Sequence, residues 1–149
     1  MPELFADKIR EAKYVANPGC FATCVATALL PFADAGYMQQ AAVRIVALTG
    51  SSGSGVHPQV GNHHTVRTNN LKAYKVFDHQ HTPEILQTLG SAGAGEVKLD
   101  FVPVSAPIAR GMMSISQLDM PVGLGEDELR AIYASYYREF PLISVLPKG

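Results

Sequence analysis

With 149 residues, 47% hydrophobic and 17% charged, the chain is long enough for one globular domain with a proper core and too short for two of ordinary size. A formal net charge of -1, with neither sign gathered into a run, argues against nucleic acid or an anionic membrane as partner and leaves a small molecule or another protein. No apolar stretch approaches membrane-spanning length, Met1 to Leu4 lack the basic and apolar regions of a signal peptide, and the two cysteines lie four apart in a pattern that suits a reducing compartment. A cytoplasmic protein is expected.

Residues 3–13 read as a short surface helix, and Lys13-Tyr14-Val15-Ala16 as a strand that breaks at Pro18-Gly19. An alanine-rich helix follows from Gly19 to about Gly36, its broad apolar stripe (Cys20, Phe21, Val25, Leu29, Phe32) expected to lie on a sheet, with Pro31 predicting a kink or an early end. Cys20 thus opens a helix, where unpaired N–H groups and the positive end of the dipole favour a thiolate and can hold an oxyanion. Cys24, one turn on, reads as core.

Ala42 to Thr49 is a strong strand, stopped by Gly50-Ser51-Ser52-Gly53-Ser54-Gly55. That loop can present N–H groups to an anion, but its spacing is neither a Walker A motif nor a dinucleotide fingerprint. From Val56 to Leu71 the chain is polar and irregular; His57, His63 and His64 lack carboxylate or cysteine partners at useful spacing, so no metal is expected.

Tyr74 to Phe77 is expected to be a short strand leading into Asp78-His79-Gln80-His81-Thr82-Pro83-Glu84, where Thr82 is the predicted N-cap, Pro83 the first helical residue and Glu84 a first-turn acid. His81 then stands just outside a helix N-terminus, as Cys20 stands at another. Val97 to Val104 and Met112 to Met120 alternate with period two, which predicts neighbouring antiparallel strands with Arg110 at their junction. Glu126 to Phe140 is the last helix, its tyrosines read as core, and Leu142 to Pro147 is expected to be a terminal strand. The fold class is therefore α+β: a mixed, largely antiparallel sheet covered on one face by the Cys20, Pro83 and Glu126 helices, its open face free to meet another subunit.

A thiol and a histidine at helix N-termini with an arginine nearby supply what acyl transfer through a thioester needs: nucleophile, general acid/base and anion anchor. On spacing alone, hydrolases, transferases and aldehyde dehydrogenases all remain open.

The order of Asn17-Pro18-Gly19-Cys20-Phe21-Ala22-Thr23, Gly50 to Gly55, Tyr74 with His79-Gln80-His81-Thr82-Pro83-Glu84-Ile85, and Arg110-Gly111 resembles the N-acetyl-gamma-glutamyl-phosphate reductase family along essentially the whole chain. That family is similar to aspartate-semialdehyde dehydrogenase and, more distantly, to the C-terminal domain of glyceraldehyde-3-phosphate dehydrogenase. The resemblance implies an arginine-biosynthesis reductase in which Cys20 attacks an acyl phosphate, and hydride from NADPH reduces the resulting thioester. His81 would be the acid/base, in preference to His79, and Asn17 would lie beside the oxyanion site. Arg110, with Tyr74 and His79, would contact substrate, Arg110 at the α-carboxylate. Ser51, Gly53 and Gly55 would approach the cofactor. The implied partners are a small acyl phosphate, the nucleotide-binding domain of a longer enzyme and a second copy of the chain. No early strand leads into G-x-G-x-x-G, so residues 1–149 are expected to be the catalytic and dimerisation domain alone, with little reductase activity by itself. The histidine-rich stretch from Val56 to Asn69 keeps an N-succinyl substrate as an alternative to N-acetyl. A non-catalytic interaction domain and a cysteine hydrolase are further alternatives on the same fold.

Overall fold

A computed structural model describes residues 1–148. The elements run α1 (Pro2–Glu11), α2 (Cys20–Asp34), β1 (Gln40–Thr49), a 3-10 turn (Ser51–Ser54), a second (Val60–Asn62), α3 (His64–Arg67), β2 (Lys72–Ala73), α4 (Thr82–Ser91), β3 (Glu96–Ser105), β4 (Met112–Leu118) and α5 (Glu126–Tyr136). The sheet order is β2-β3-β1-β4. β1 pairs in parallel with β3 from Gln40↔Glu96 to Thr49↔Ser105, whereas β1–β4 and β2–β3 are antiparallel. The α+β class and the mixed sheet hold, with two of the three ladders antiparallel.

Four local expectations are corrected. Residues 13–16 form no strand: Tyr14 and Val15 are 84% and 58% exposed, and a strand needs a ladder partner that this segment does not meet. The short strand expected at Tyr74 to Phe77 lies instead at Lys72–Ala73, because Lys75 and Phe77 adopt left-handed φ values of 44° and 60° that no strand continues through. β3 and β4 are not neighbours; β1 lies between them. Residues 142–147 form no strand, and the Leu146 carbonyl instead accepts a bond from Arg130 Nη1 at 2.7 Å.

The separation of β3 from β4 has a physical origin. To reach β4 on the far side of β1, the β3–β4 connection must cross the end of β1. It does so over the Gly-Ser loop: the N–H groups of Gly50, Ser51 and Ser52 donate to the carbonyls of Gly111, Ile108 and Ala109 at 2.9 to 3.0 Å. A Cβ at Gly50 would come within 2.8 Å of Arg110 N and 2.9 Å of Arg110 Cα, so only glycine permits the crossing at this closeness.

The core lies between the sheet and α2 with α4. Phe21, Val25 and Leu29 from α2 meet Val43, Ile45 and Ala47 from β1, together with Ile85, Leu89 and Phe101, all within 1% of complete burial. Each such large apolar side chain contributes about 1.5–3 kcal/mol through burial. α2 runs three residues past Pro31, which removes the N–H that the Thr27 carbonyl would otherwise receive. That carbonyl accepts the Tyr137 hydroxyl at 2.5 Å, and the neighbouring Ala28 carbonyl accepts the Tyr133 hydroxyl, which docks the C-terminal helix on α2.

Candidate active site

Helix α2 begins at Cys20 because Pro18 and Gly19 hold extended backbone up to the N-cap, and Thr23 N–H closes the first turn on the Gly19 carbonyl at 3.0 Å. The N–H groups of Cys20, Phe21 and Ala22 have no acceptor within the helix, as in any first turn. Cys20 is exposed, while Phe21 and Ala22 are buried and fix the helix end in place. Cys24 faces β4, its Sγ 3.6 Å from Ser114 Oγ.

Helix α4 delivers the second group. His81 is its N-cap residue, and Thr82, expected there from sequence, is the first helical residue, with its hydroxyl buried and unbonded. The His81 imidazole lies over the Cα of Gly19: a Cβ on Gly19 would fall 2.1 Å from His81 Nε2 and 2.4–2.5 Å from two further ring atoms. The two helix starts are tied together by Gly19 N–H, which donates to Glu84 Oε2 at 2.8 Å.

His79 supports this arrangement from below. It is 4% exposed, meets Phe21, Phe101 and Tyr74 edge-on, and its Nδ1 accepts the His81 backbone N–H at 3.2 Å. Burial, then the electrostatic influence of His81 and of Lys75, push its pKa below the ordinary imidazole value of 6.5. Its ring is therefore a neutral acceptor at neutral pH, proton on Nε2. Burial, then the charge of Cys20, push the Tyr74 phenol upward, and Arg67 pulls it down.

Cys20, Tyr74, His79 and His81 share one cavity of about 520 Å³, which opens at the C-terminal ends of the parallel pair β1 and β3 through Thr49 and Ser105. Parallel strands commonly present sites at that end. Its charged lining consists of Arg67, Lys72 and Lys75, with no aspartate or glutamate. The arrangement offers an exposed thiol, an imidazole and a positive wall: it suits attack on an anionic acyl compound.

The structure does not bring every sequence-selected residue here. Arg110 is exposed and outside the cavity lining, as are Asn17, Ser51 and Gly55; Gly53 lies on its edge. In the Gly-Ser loop the N–H groups of Gly50 to Gly53 donate to carbonyls of the protein. Arg67, which does line the cavity, gives no sign in the sequence, because it lies in a polar stretch with no periodic signal. Its position is set by three-dimensional contacts with Thr49, Ser54 and Ala106. Among the described residues no group of three or more histidines, cysteines and carboxylates could hold a metal ion.

Residues 20–149 match the family model described as semialdehyde dehydrogenase, dimerisation domain. Curated proteins named N-acetyl-gamma-glutamyl-phosphate reductase are similar over the whole chain. That of Pelotomaculum thermopropionicum is 38% identical over 149 residues, covering 100% of this chain and 43% of the relative. That of Bacteroides thetaiotaomicron is 38% identical over 150 residues, covering 100% and 46%. That of Bacillus subtilis is 36% identical over 149 residues, covering 100% and 43%. The chain spans less than half the length of these relatives.

Proposed function

This chain belongs to the semialdehyde dehydrogenase family through its dimerisation domain, and on that premise we propose that it is the thiol-bearing half of an N-acetyl-gamma-glutamyl-phosphate reductase. The observation that carries the reading is the apposition of the His81 ring on Gly19, directly before the exposed Cys20, inside a cavity whose charged residues are all cationic.

In this reading Cys20 Sγ attacks the γ-carbonyl carbon of the acyl phosphate. The C–S bond forms, the carbonyl oxygen gathers charge beside the free N–H groups at the start of α2, and the C–O bond to phosphate breaks. Cys20 is left as a thioester. Reduction of this thioester to the aldehyde level would draw a hydride from NADPH, which the nucleotide-binding domain of the longer enzyme would mainly hold. His81 then gives a proton to the thiohemiacetal oxygen and takes it back as the C–S bond breaks and semialdehyde leaves. His79 keeps the His81 backbone in place. Asn17, exposed beside the Cys20 turn, would serve the oxyanion from the solvent side. The open sheet face, where Val46 is opposite Ile115, supplies the contact with a second copy. The setting is the cytoplasm, where a thiol nucleophile stays reduced.

Acylation of Cys20 tests the reading without any nucleotide. Mixing the protein with N-acetyl-gamma-glutamyl phosphate should release one equivalent of phosphate and leave the acyl mass on the Cys20 peptide, and Cys20→Ser should abolish both. Continued turnover to N-acetylglutamate without nicotinamide would mark a hydrolase instead, and no acylation with either the N-acetyl or the N-succinyl compound would refute acyl transfer at this site.

A further inference from the structure

Arg67 is the one cation of the cavity that the fold holds rigidly. Its Nη2 donates to the carbonyls of Thr49 at 3.2 Å and Ala106 at 3.3 Å, which lie at the C-terminal end of β1 and just past that of β3, and its Nη1 lies 3.4 Å from Ser54 Oγ. Nothing balances its charge: the ion pairs among the described residues are Arg10–Asp7, Arg130–Glu126 and Lys148–Glu126, and the cavity contains no carboxylate. Its Nε–H is buried with no acceptor. A half-buried guanidinium fixed by neutral carbonyls, with no carboxylate among the cavity lining, has charge to offer an anionic group.

We propose that Arg67, and not Arg110, receives the carboxylate of the acyl substrate, so that the carboxylate end lies on α3 and the reacting end on α2. The assignment rests on the acyl-transfer reading of Cys20 given above. The reacting phosphate is bonded to the very carbon that Cys20 attacks, so it must sit at the thiol and His81. Arg67 stands on α3, held at the C-terminal ends of β1 and β3, whereas the thiol and His81 stand at the starts of α2 and α4. Arg67 is therefore placed for the second anionic group of a substrate that has two. Arg110 is fixed by the β3–β4 crossing through its backbone and stays in solvent.

The test compares two acyl donors, N-acetyl-gamma-glutamyl phosphate, which bears a carboxylate, and acetyl phosphate, which does not. Phosphate release and Cys20 acyl mass are read for each. Arg67→Met should slow acylation by the first donor about a hundredfold and leave acetyl phosphate within about threefold, because a site built for a polar partner loses most when that contact is removed. Arg67→Lys should restore part of the rate, a point charge replacing a fork, and Arg110→Met should change neither donor. The acetyl phosphate rate also reports whether the variant is folded. Equal losses on both donors, or a carboxylate-selective loss in Arg110→Met instead, would overturn the assignment. Protection of Cys20 from iodoacetamide by N-acetylglutamate separates this assignment from the acyl-transfer reading. If the unmodified protein is acylated by neither donor yet is protected in an Arg67-dependent way, the anion site stands and the reductase reading falls. Absence of both acylation and protection overturns both.

Discussion

A Cβ on Gly19 would stand 2.1 Å from Nε2 of His81, so the missing side chain of one residue is the space in which the other works. Gly19 itself has an extended backbone, φ -62° and ψ 152°, that alanine adopts without strain. Gly19→Ala should therefore keep the fold and drive the imidazole off the α2 N-terminus. If His81 is the acid/base, reductive turnover in the longer enzyme falls by about 10²-fold or more, with circular dichroism and melting temperature nearly unchanged. Retained turnover would show that the ring's place over Gly19 has no part in the chemistry.

Tyr137 and Pro31 make a second pair, joined through the Thr27 carbonyl. Tyr137→Phe leaves that buried acceptor empty and should lower stability by about 1–3 kcal/mol. Pro31→Ala returns an N–H to the helix at the matching position, so it should recover part of that loss when added to Tyr137→Phe. Urea unfolding of the four proteins in the cycle measures the coupling; additive effects would mean the hydroxyl is not serving the proline's gap.

Much of this architecture is legible in sequence, and the reasons for the failures are specific. The apolar periodicity of Phe21, Val25 and Leu29 and the alternation of Val43, Ile45 and Ala47 report burial directly, which is why α2 and β1 can be read. Period-two patterning says nothing about which strand is the neighbour, and so the placement of β1 between β3 and β4 is invisible until the crossing over Gly50 is seen. Tyr14 and Val15 look like a strand because β-forming residues carry a propensity whether or not a partner exists. At the site, Cys20 and His81 announce themselves through helix-start signals. Arg67 carries none, since its position is set by carbonyls 18 and 39 residues away along the chain.

His79 gives stability a pH dependence. Its folded pKa lies below the ordinary 6.5, so at acid pH the unfolded chain binds a proton that the folded chain refuses. The contribution is fully present above about pH 6.5 and declines as pH falls through that value towards the folded pKa. Melting temperatures from pH 7.5 down to 5 should drop more steeply for the unmodified protein than for His79→Gln, which has no charge to acquire. Parallel curves would exclude His79 as the source.

Tyr133 acts at the opposite end of the scale. Burial pushes its phenol from 10.0 up to about 12, and its hydroxyl donates to the Ala28 carbonyl, so the folded state requires the protonated form. Stability from this group is complete below pH 10 and is lost as pH rises from there towards about 12. Tyr133→Phe should be less stable at neutral pH by about 1 kcal/mol or more, and flatter than the unmodified protein between pH 9.5 and 11.5. A slope unchanged by the substitution would assign alkaline sensitivity to other groups.

One face of the sheet is turned away from the helices. Along β1, Val43, Ile45 and Ala47 point to the core, and Arg44, Val46 and Leu48 to the other side, where they stand opposite Gln117, Ile115 and Met113 of β4. Val46, Ile115 and Met113 are 42%, 48% and 58% exposed, an apolar surface shared by β1 and the edge strand β4. Water contact there is costly and a second copy of the same face removes it, in keeping with a dimerisation domain. Val46→Lys places a charge at the middle of the patch, opposite Ile115, without entering the core, so it should shift sedimentation from dimer towards monomer. Because Cys20 and His81 lie on the far side, with the helices, phosphate release per chain should stay within about twofold of the unmodified protein if each chain carries a complete acylating site. A dimer that survives Val46→Lys would place the subunit contact on another surface.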